Sequence, residues 1–138
     1  MAKAYRTGDF VEICSNDEGF LGSYFAAKVL AVGKTKLLVE YETLLTPDES
    51  GLLKEIVHYR EVRPRPPEIP VSAFRVFEEV DAYDNEGWWV GRITSVQDSN
   101  KYSVYFSHSR ENNTYPFFRL RVHQDWKNGK WVSPRSHR

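Results

Sequence analysis

The sequence predicts an all-β protein made of two small antiparallel barrels in tandem. Three observations carry this: four segments recur in the same order in both halves, each is short and alternating, and a proline-rich stretch separates the two sets. With 138 residues, the chain has room for two small domains. The stretch "VRPRPPEIPV", residues 62–71, places Pro64, Pro66, Pro67 and Pro70 close together. Such density excludes a helix and a central strand. It reads as a stiff linker, dividing the chain into domains at 5–66 and 67–134.

The repeated segments follow in order. "VEICSNDEG" (11–19) answers to "VDAYDNEG" (80–87), and "SYFAAKVLAV" (23–32) to "GWWVGRITSV" (87–96). "KLLVEYE" (36–42) answers to "KYSVYFS" (101–107), and "VHYREVRP" (57–64) to "PFFRLRVH" (116–123). Each is rich in Val, Ile, Tyr, Phe and Trp, and the connections carry Asn, Asp, Gly and Ser. Alternation puts Phe25, Ala27 and Val29 on one face, and Trp89, Gly91 and Ile93 on the matching face. An aromatic–small–aliphatic order suits a bent strand entering a narrow barrel. Leu37, Val39 and Tyr41 correspond in pattern to Tyr102, Val104 and Phe106. Two segments read differently: "TLLTPDESGLLKEI" (43–56) as a long excursion with room for one helical turn, and "HSRENNT" (108–114) as loop. "DWKNGKWV" (125–132) is a hairpin about Asn128-Gly129, with Trp126 and Trp131 expected to pack on the barrel. "PRSHR" (134–138) reads as a frayed tail.

Composition narrows the function. Nineteen basic and nineteen acidic residues cancel, which weakens the case for a dedicated duplex-DNA binder. Cys14 is the only cysteine, so neither an intrachain disulfide nor a thiolate zinc site is available. His58, His108, His123 and His137 are scattered, with no catalytic or metal-ligand spacing. Neither an enzyme nor a cofactor or metal is expected. No stretch has the apolar length of a membrane helix, and the start has no signal-peptide core.

The doubled pattern of an acidic first strand, an aromatic pair followed by Ala or Gly, a basic residue and an aliphatic, and a strand ending in an aromatic resembles a tandem Agenet module. Agenet domains are Tudor-like members of the Royal superfamily. The resemblance spans residue 7 to about 133. It implies five-stranded, strongly bent antiparallel Tudor-like barrels packed together. It also implies a nuclear chromatin reader that binds a methylated-lysine histone tail, with histone H3 dimethylated at lysine nine the best match. The chain is then expected to be one pair from a longer multi-Agenet protein.

Methylation leaves a lysine cationic, removes N–H donors and adds apolar surface. Aromatic faces attract such a group by about 0.5–2 kcal/mol each. By the resemblance, the walls of the cage map onto Tyr83, Trp89 and Phe106 in the second half. In the first they map onto Cys14, Phe25 and Tyr41, with Tyr24 as a substitute for the thiol. Tyr83 lies in the polar run "AYDNEG", where a core residue is unexpected, and its acidic neighbours Asp84 and Glu86 favour an N–H-bearing dimethyl group over trimethyl. Trp88 faces the other way and is expected to pack on the C-terminal hairpin or the first barrel. Asp17, Glu18, Glu40, Glu42, Asp48 and Glu49 are candidates for an acidic peptide groove. Two alternatives remain open: single-stranded RNA or DNA binding through Trp88, Tyr105, Arg119 and Arg121, and a scaffold for an unmodified protein partner.

Overall fold

The two repeats fold by the same plan. The computed structural model describes residues 4–15, 19–98 and 100–133. Its backbone divides into two units, Met1–Arg65 and Pro66–Arg138. The tail 134–138 and the acids Asp17 and Glu18 lie outside the described residues.

In the first unit the strands are β1 (Phe10–Ile13), β2 (Ser23–Val32), β3 (Lys36–Leu45), β4 (Leu52–His58) and β5 (Val62–Pro64). In the second they are β6 (Glu79–Asp84), β7 (Gly87–Gln97), β8 (Lys101–Phe106), β9 (Glu111–Pro116) and β10 (Leu120–Val122). Every pairing within a unit is antiparallel. The order is β5–β1–β2–β3–β4 in one unit and β10–β6–β7–β8–β9 in the other. Single-turn 3-10 helices, Tyr59–Glu61 and Phe117–Arg119, lead into β5 and β10. Among the described residues no ladder joins β4 to β5 or β9 to β10. Each sheet is therefore strongly bent rather than closed, and the last strand, only three residues long, hangs on the first.

The bend has the same origin in both units. The β2–β3 register shifts between Val29 and Ala31, and the β7–β8 register between Ile93 and Ser95. An extra residue on one strand of a pair bends that strand and increases its twist. The long second strand of each unit can thus serve two directions of one curved sheet. The faces follow the expected alternation: Phe25, Ala27, Val29, Leu37, Val39 and Tyr41 are buried in the first unit, and Ala82, Ile93, Tyr102, Val104 and Phe106 in the second.

Three expectations are corrected. Residues 43–56 hold no helical turn; β3 continues to Leu45 and β4 begins at Leu52. Between them, Thr46 N–H donates to the Gly51 carbonyl and Glu49, at φ 59°, donates to Thr46. The polar run 108–114 is also not simply loop, because β9 begins at Glu111. Both strands pair on one side only among the described residues. Their backbones are satisfied by the neighbouring ladder while most side chains stay exposed, so neither shows the apolar alternation by which strands are read. Finally, Val62–Pro64 is strand rather than linker, and its proline is tolerated because β5 is an edge.

The turn before the first strand differs between the copies. Gly8, at φ 94°, and Phe77, at φ 73°, occupy equivalent places: Gly8 N–H donates to the Val29 carbonyl and Phe77 N–H to the Ile93 carbonyl, both at 2.8 Å. Left-handed backbone costs a side-chain-bearing residue about 1–2 kcal/mol. The second unit carries that cost at a phenylalanine that is 72% exposed.

Candidate functional site

The β6–β7 hairpin sets the geometry of the second-unit site. Its two-residue turn holds Asn85 at φ 47° and Glu86 at φ 65°, between the register partners Asp84 and Gly87. The ladder then pairs Tyr83 with Trp88 and Ala82 with Trp89. Partners share a face and neighbours do not. Ala82 faces the core, so Trp89 does as well, packed against the cluster that holds Phe106 and Tyr115. Tyr83 and Trp88 lie on the opposite face, ring edge to ring face at 5.1 Å.

This corrects the expected box. Tyr83, Trp89 and Phe106 do not converge, because Tyr83 is on the wrong side of the sheet. Tyr115, which sequence reading did not single out, lies on the core side with Phe106. The Tyr115 hydroxyl donates to Asp84 Oδ2 at 2.7 Å, and its ring meets Phe106 edge-on at 6.0 Å. Burial and the bond to Asp84 raise its pKa well above the tyrosine range. Trp89 Nε1 donates to the Asp84 carbonyl at 2.8 Å, and the Asn85 N–H to Asp84 Oδ1 at 2.8 Å. Asp84 thus takes the Trp89 indole on its backbone carbonyl and the Tyr115 hydroxyl on its carboxylate, and Phe106 lies against Tyr115. Its carboxylate keeps acceptor capacity beyond the two bonds it takes here. Glu86 sits in the turn itself and is exposed.

The first unit assembles a related set. Phe25 and Tyr41 are buried on the core face, as expected. Phe20, in the loop before β2 and also missed from sequence, meets Phe25 edge-on at 6.2 Å. The Tyr41 hydroxyl donates to Glu55 of β4. Cys14 is no wall. Its N–H and thiol both donate to the Glu61 carbonyl, at 2.8 and 3.4 Å, which ties β1 to the 3-10 turn. Burial pushes the thiol pKa up. Tyr24 cannot replace it, because the Arg63 guanidinium stacks on its ring at 3.4 Å on the other face.

That stacking is half of a device found in both units. Glu12, 2% exposed, takes Arg63 Nε and Nη2 at 3.1 and 2.8 Å. Asp81, 1% exposed, takes Arg121 Nε at 2.8 Å, and Arg121 stacks on Trp88 at 4.2 Å. Acid and arginine are register partners each time, Glu12 with Arg63 and Asp81 with Arg121. The first aromatic of each doublet therefore covers an ion pair, and the second serves the core. Trp88 was expected on the hairpin or the first barrel, but its described ring contacts are Tyr83 and Arg121.

In the second unit the network goes further. His123 presents Nδ1 to Asp81 at 2.7 Å and Nε2 to Asp125 at 2.9 Å. Asp125 opens the hairpin β11 (Asp125–Lys127) and β12 (Lys130–Val132), whose Trp126 and Trp131 rings stand 5.0 Å apart. Two carboxylates can both be donated to only by the imidazolium. Burial works to lower the pKa of His123, but Asp81, then Asp125 and Glu79, outweigh it and raise it above 6.5. The stabilisation is complete below the unfolded value of 6.5 and is lost as pH rises through the raised folded value. Thermal melts followed from pH 6 upward are expected to show stability falling with pH, and His123→Gln should flatten that dependence.

The acidic groove is not assembled among the described residues. Glu42 pairs with Arg65. Glu40 lies opposite Lys28 on β2 and Lys54 on β4. Asp48 builds the β3–β4 turn, accepting from Thr46 Oγ1, Ser50 Oγ and Ser50 N at 2.6, 2.8 and 3.1 Å. Those bonds hold its carboxyl down at about 2. Glu49 is in the same turn. No group of three or more His, Cys, Asp or Glu among the described residues is arranged to hold a metal, and no helix among them is long and apolar enough to cross a membrane.

Comparison with known proteins follows the same lines. Residues 8–67 match the Agenet domain. The Arabidopsis thaliana protein AGENET DOMAIN (AGD)-CONTAINING P1 is 38% identical over 131 residues, which is 94% of this chain and 25% of that protein. DUF724 domain-containing protein 3, also from Arabidopsis thaliana, is 36% identical over 90% of this chain and 19% of its own length. The chain thus spans a quarter or less of these relatives. Among solved structures, the crystal structure of Arabidopsis thaliana AGDP1 AGD34 superposes with a TM-score of 0.88 at 39% identity, covering 93% of this chain and 88% of that one. ADCP1 tandem Agenet domain 3-4 superposes at 0.83 and 36%, covering 93% and 86%. A direct match in the first half, and solved tandem Agenet relatives that the chain covers almost end to end, lead to one assignment: the chain belongs to the Agenet domain family.

Proposed function

We propose that this tandem Agenet pair is a nuclear chromatin reader that binds a methylated-lysine histone tail, with histone H3 dimethylated at lysine nine as the best candidate. Its setting is a longer protein carrying several such pairs. The observation that carries the reading is Asp84, whose carboxylate takes the Tyr115 hydroxyl and whose backbone carbonyl takes the Trp89 indole, with Phe106 packed edge-on against Tyr115. Aromatic rings attract a methylated ammonium, and a carboxylate with spare acceptor capacity takes the N–H that a dimethyl group retains. Family membership supports a binding module over a catalyst. The first-unit set of Phe20, Phe25, Tyr41 and Glu55 has the same chemistry and is the second place to test.

A methylated histone-peptide array, followed by calorimetry on the strongest peptide, tests this. Trp89→Ala is expected to weaken binding by about tenfold or more, the equivalent of one desolvated cation–π contact of about 2 kcal/mol. Tyr83→Ala, on the other face, should bind like wild type. Asp84→Asn should cost dimethyl peptides more than trimethyl ones. A folded Trp89→Ala variant with wild-type affinity would sink the assignment. The nucleic-acid alternative is weakened because Arg121 is committed to Asp81 and Trp88, and Arg119 to Tyr83.

A further inference from the structure

We infer that β4 is a docking edge that takes an extended segment of a separate protein as an added strand, with an acidic residue at its centre and an apolar residue two positions to either side. β4 is seven residues long and pairs with β3 alone among the described residues. The backbone groups on its other side offer a ladder to an incoming chain. The strand is fixed from the core side, where Val57 is buried and Glu55 accepts the Tyr41 hydroxyl. Leu52, Lys54 and Ile56 fall on the opposite side, with Leu52 39% and Ile56 67% exposed. The other edges are blunter. β5 and β10 have three residues each. β9, the counterpart of β4, opens with four exposed polar residues, Glu111, Asn112, Asn113 and Thr114. The fold therefore does not require the exposed leucine and isoleucine of β4.

The cross-strand rows define the partner. One row runs Lys28, Glu40, Lys54 across β2, β3 and β4. A single carboxylate stands between two ammonium groups, so an acid beyond Lys54 completes the alternation of sign. On either side of that row, Ile56 lies beside Leu38 and Leu52 beside Leu45, and each continues with an apolar residue. Because Leu52 and Ile56 flank Lys54 symmetrically, the same pattern fits in either chain direction. A second copy that paired Leu52 with Ile56 across a two-fold axis would set Lys54 against Lys54, and like charges directly opposite are destabilising. A basic histone tail meets the same repulsion. The edge thus serves a partner other than the tail proposed above, and its assignment is independent of Asp84.

Two end-capped heptapeptides test this by NMR titration of the isotope-labelled chain. One is Thr-Val-Thr-Glu-Thr-Val-Thr, and the other carries lysine in place of glutamate. The glutamate peptide is expected to shift the β4 amides and to bind about fivefold tighter than the lysine peptide, because an attractive cross-strand pair is exchanged for a repulsive one. Lys54→Gln should abolish the preference, Lys54→Glu should reverse it, and Ile56→Ser should weaken both peptides. If neither peptide shifts the β4 amides at millimolar concentration, the edge does not dock a strand and the inference falls. If both bind alike, or Lys54→Glu leaves the preference as it was, the charge rule is wrong and the inference falls as well. Dimers in sedimentation that Ile56→Ser dissolves would assign the edge to a second copy and overturn it too.

Discussion

Replacing Arg63 with methionine is expected to destabilise the first unit by about 3–5 kcal/mol, the cost of leaving one member of a buried ion pair behind. Glu12 is almost completely buried, and Arg63 reaches it through both Nε and Nη2. Removing the guanidinium strands a carboxylate in the interior and also uncovers the Tyr24 ring. The carboxylate would then protonate or draw in water, and either outcome loosens the β1–β5 ladder. Urea denaturation measures the loss. The companion Glu12→Gln/Arg63→Met double variant should recover a large part of it, because no buried charge remains unpaired. If the single and double variants are equally unstable, the packing of the arginine stem matters and the charge does not.

Gly91→Ala is expected to cost the second unit about 3 kcal/mol, the upper end of ordinary overpacking. A β-carbon at that position would lie 2.5 Å from Val104 Cγ1, 3.0 Å from the Tyr105 carbonyl oxygen and 3.1 Å from Phe106 Cδ1. Val104 can turn, but the backbone carbonyl cannot retreat without moving β8. The first unit has Ala27 at the matching position, fully buried, so that copy has made room for the methyl group. Because Phe106 packs against Tyr115, which bonds Asp84, the proposed peptide reading expects Gly91→Ala to weaken binding as well as stability. A Gly91→Ala protein that melts within 1 °C or so of wild type would mean that the sheet yields at this crossing more easily than its contacts imply.

Much of the fold could be read from the residues because both copies obey the same alternation. Phe25, Ala27 and Val29, and again Trp89, Gly91 and Ile93, fall on the faces that period two assigns them. The strands that escaped reading, β4 and β9, are those where hydrogen bonding to a neighbour supplies the structure and apolar burial does not. Leu52 and Ile56 are exposed, and of residues 111–114 none is buried. The site was only half legible for the same reason. Trp89 and Phe106 announce themselves by pattern, whereas Tyr115 sits in a polar run and meets Asp84 across a separation of 31 residues. Tyr83 misled because its polar surroundings were visible in sequence but its face was set by the turn. With Asn85 and Glu86 as a two-residue turn, Tyr83 pairs with Trp88 and not with Trp89.

The acid–arginine–aromatic arrangement bears on how such a chain acquires copies of itself. Among the described residues, each buried carboxylate meets its counter-ion within the same repeat, Glu12 with Arg63 and Asp81 with Arg121. A duplicated gene segment therefore brings its own neutralising partner, and the new copy can fold without help from unrelated sequence. Selection can then alter the outward positions one at a time. Gly8 against Phe77 and Arg60 against Phe118 are positions where the two copies differ, while both copies hold an acid–arginine pair at the same register.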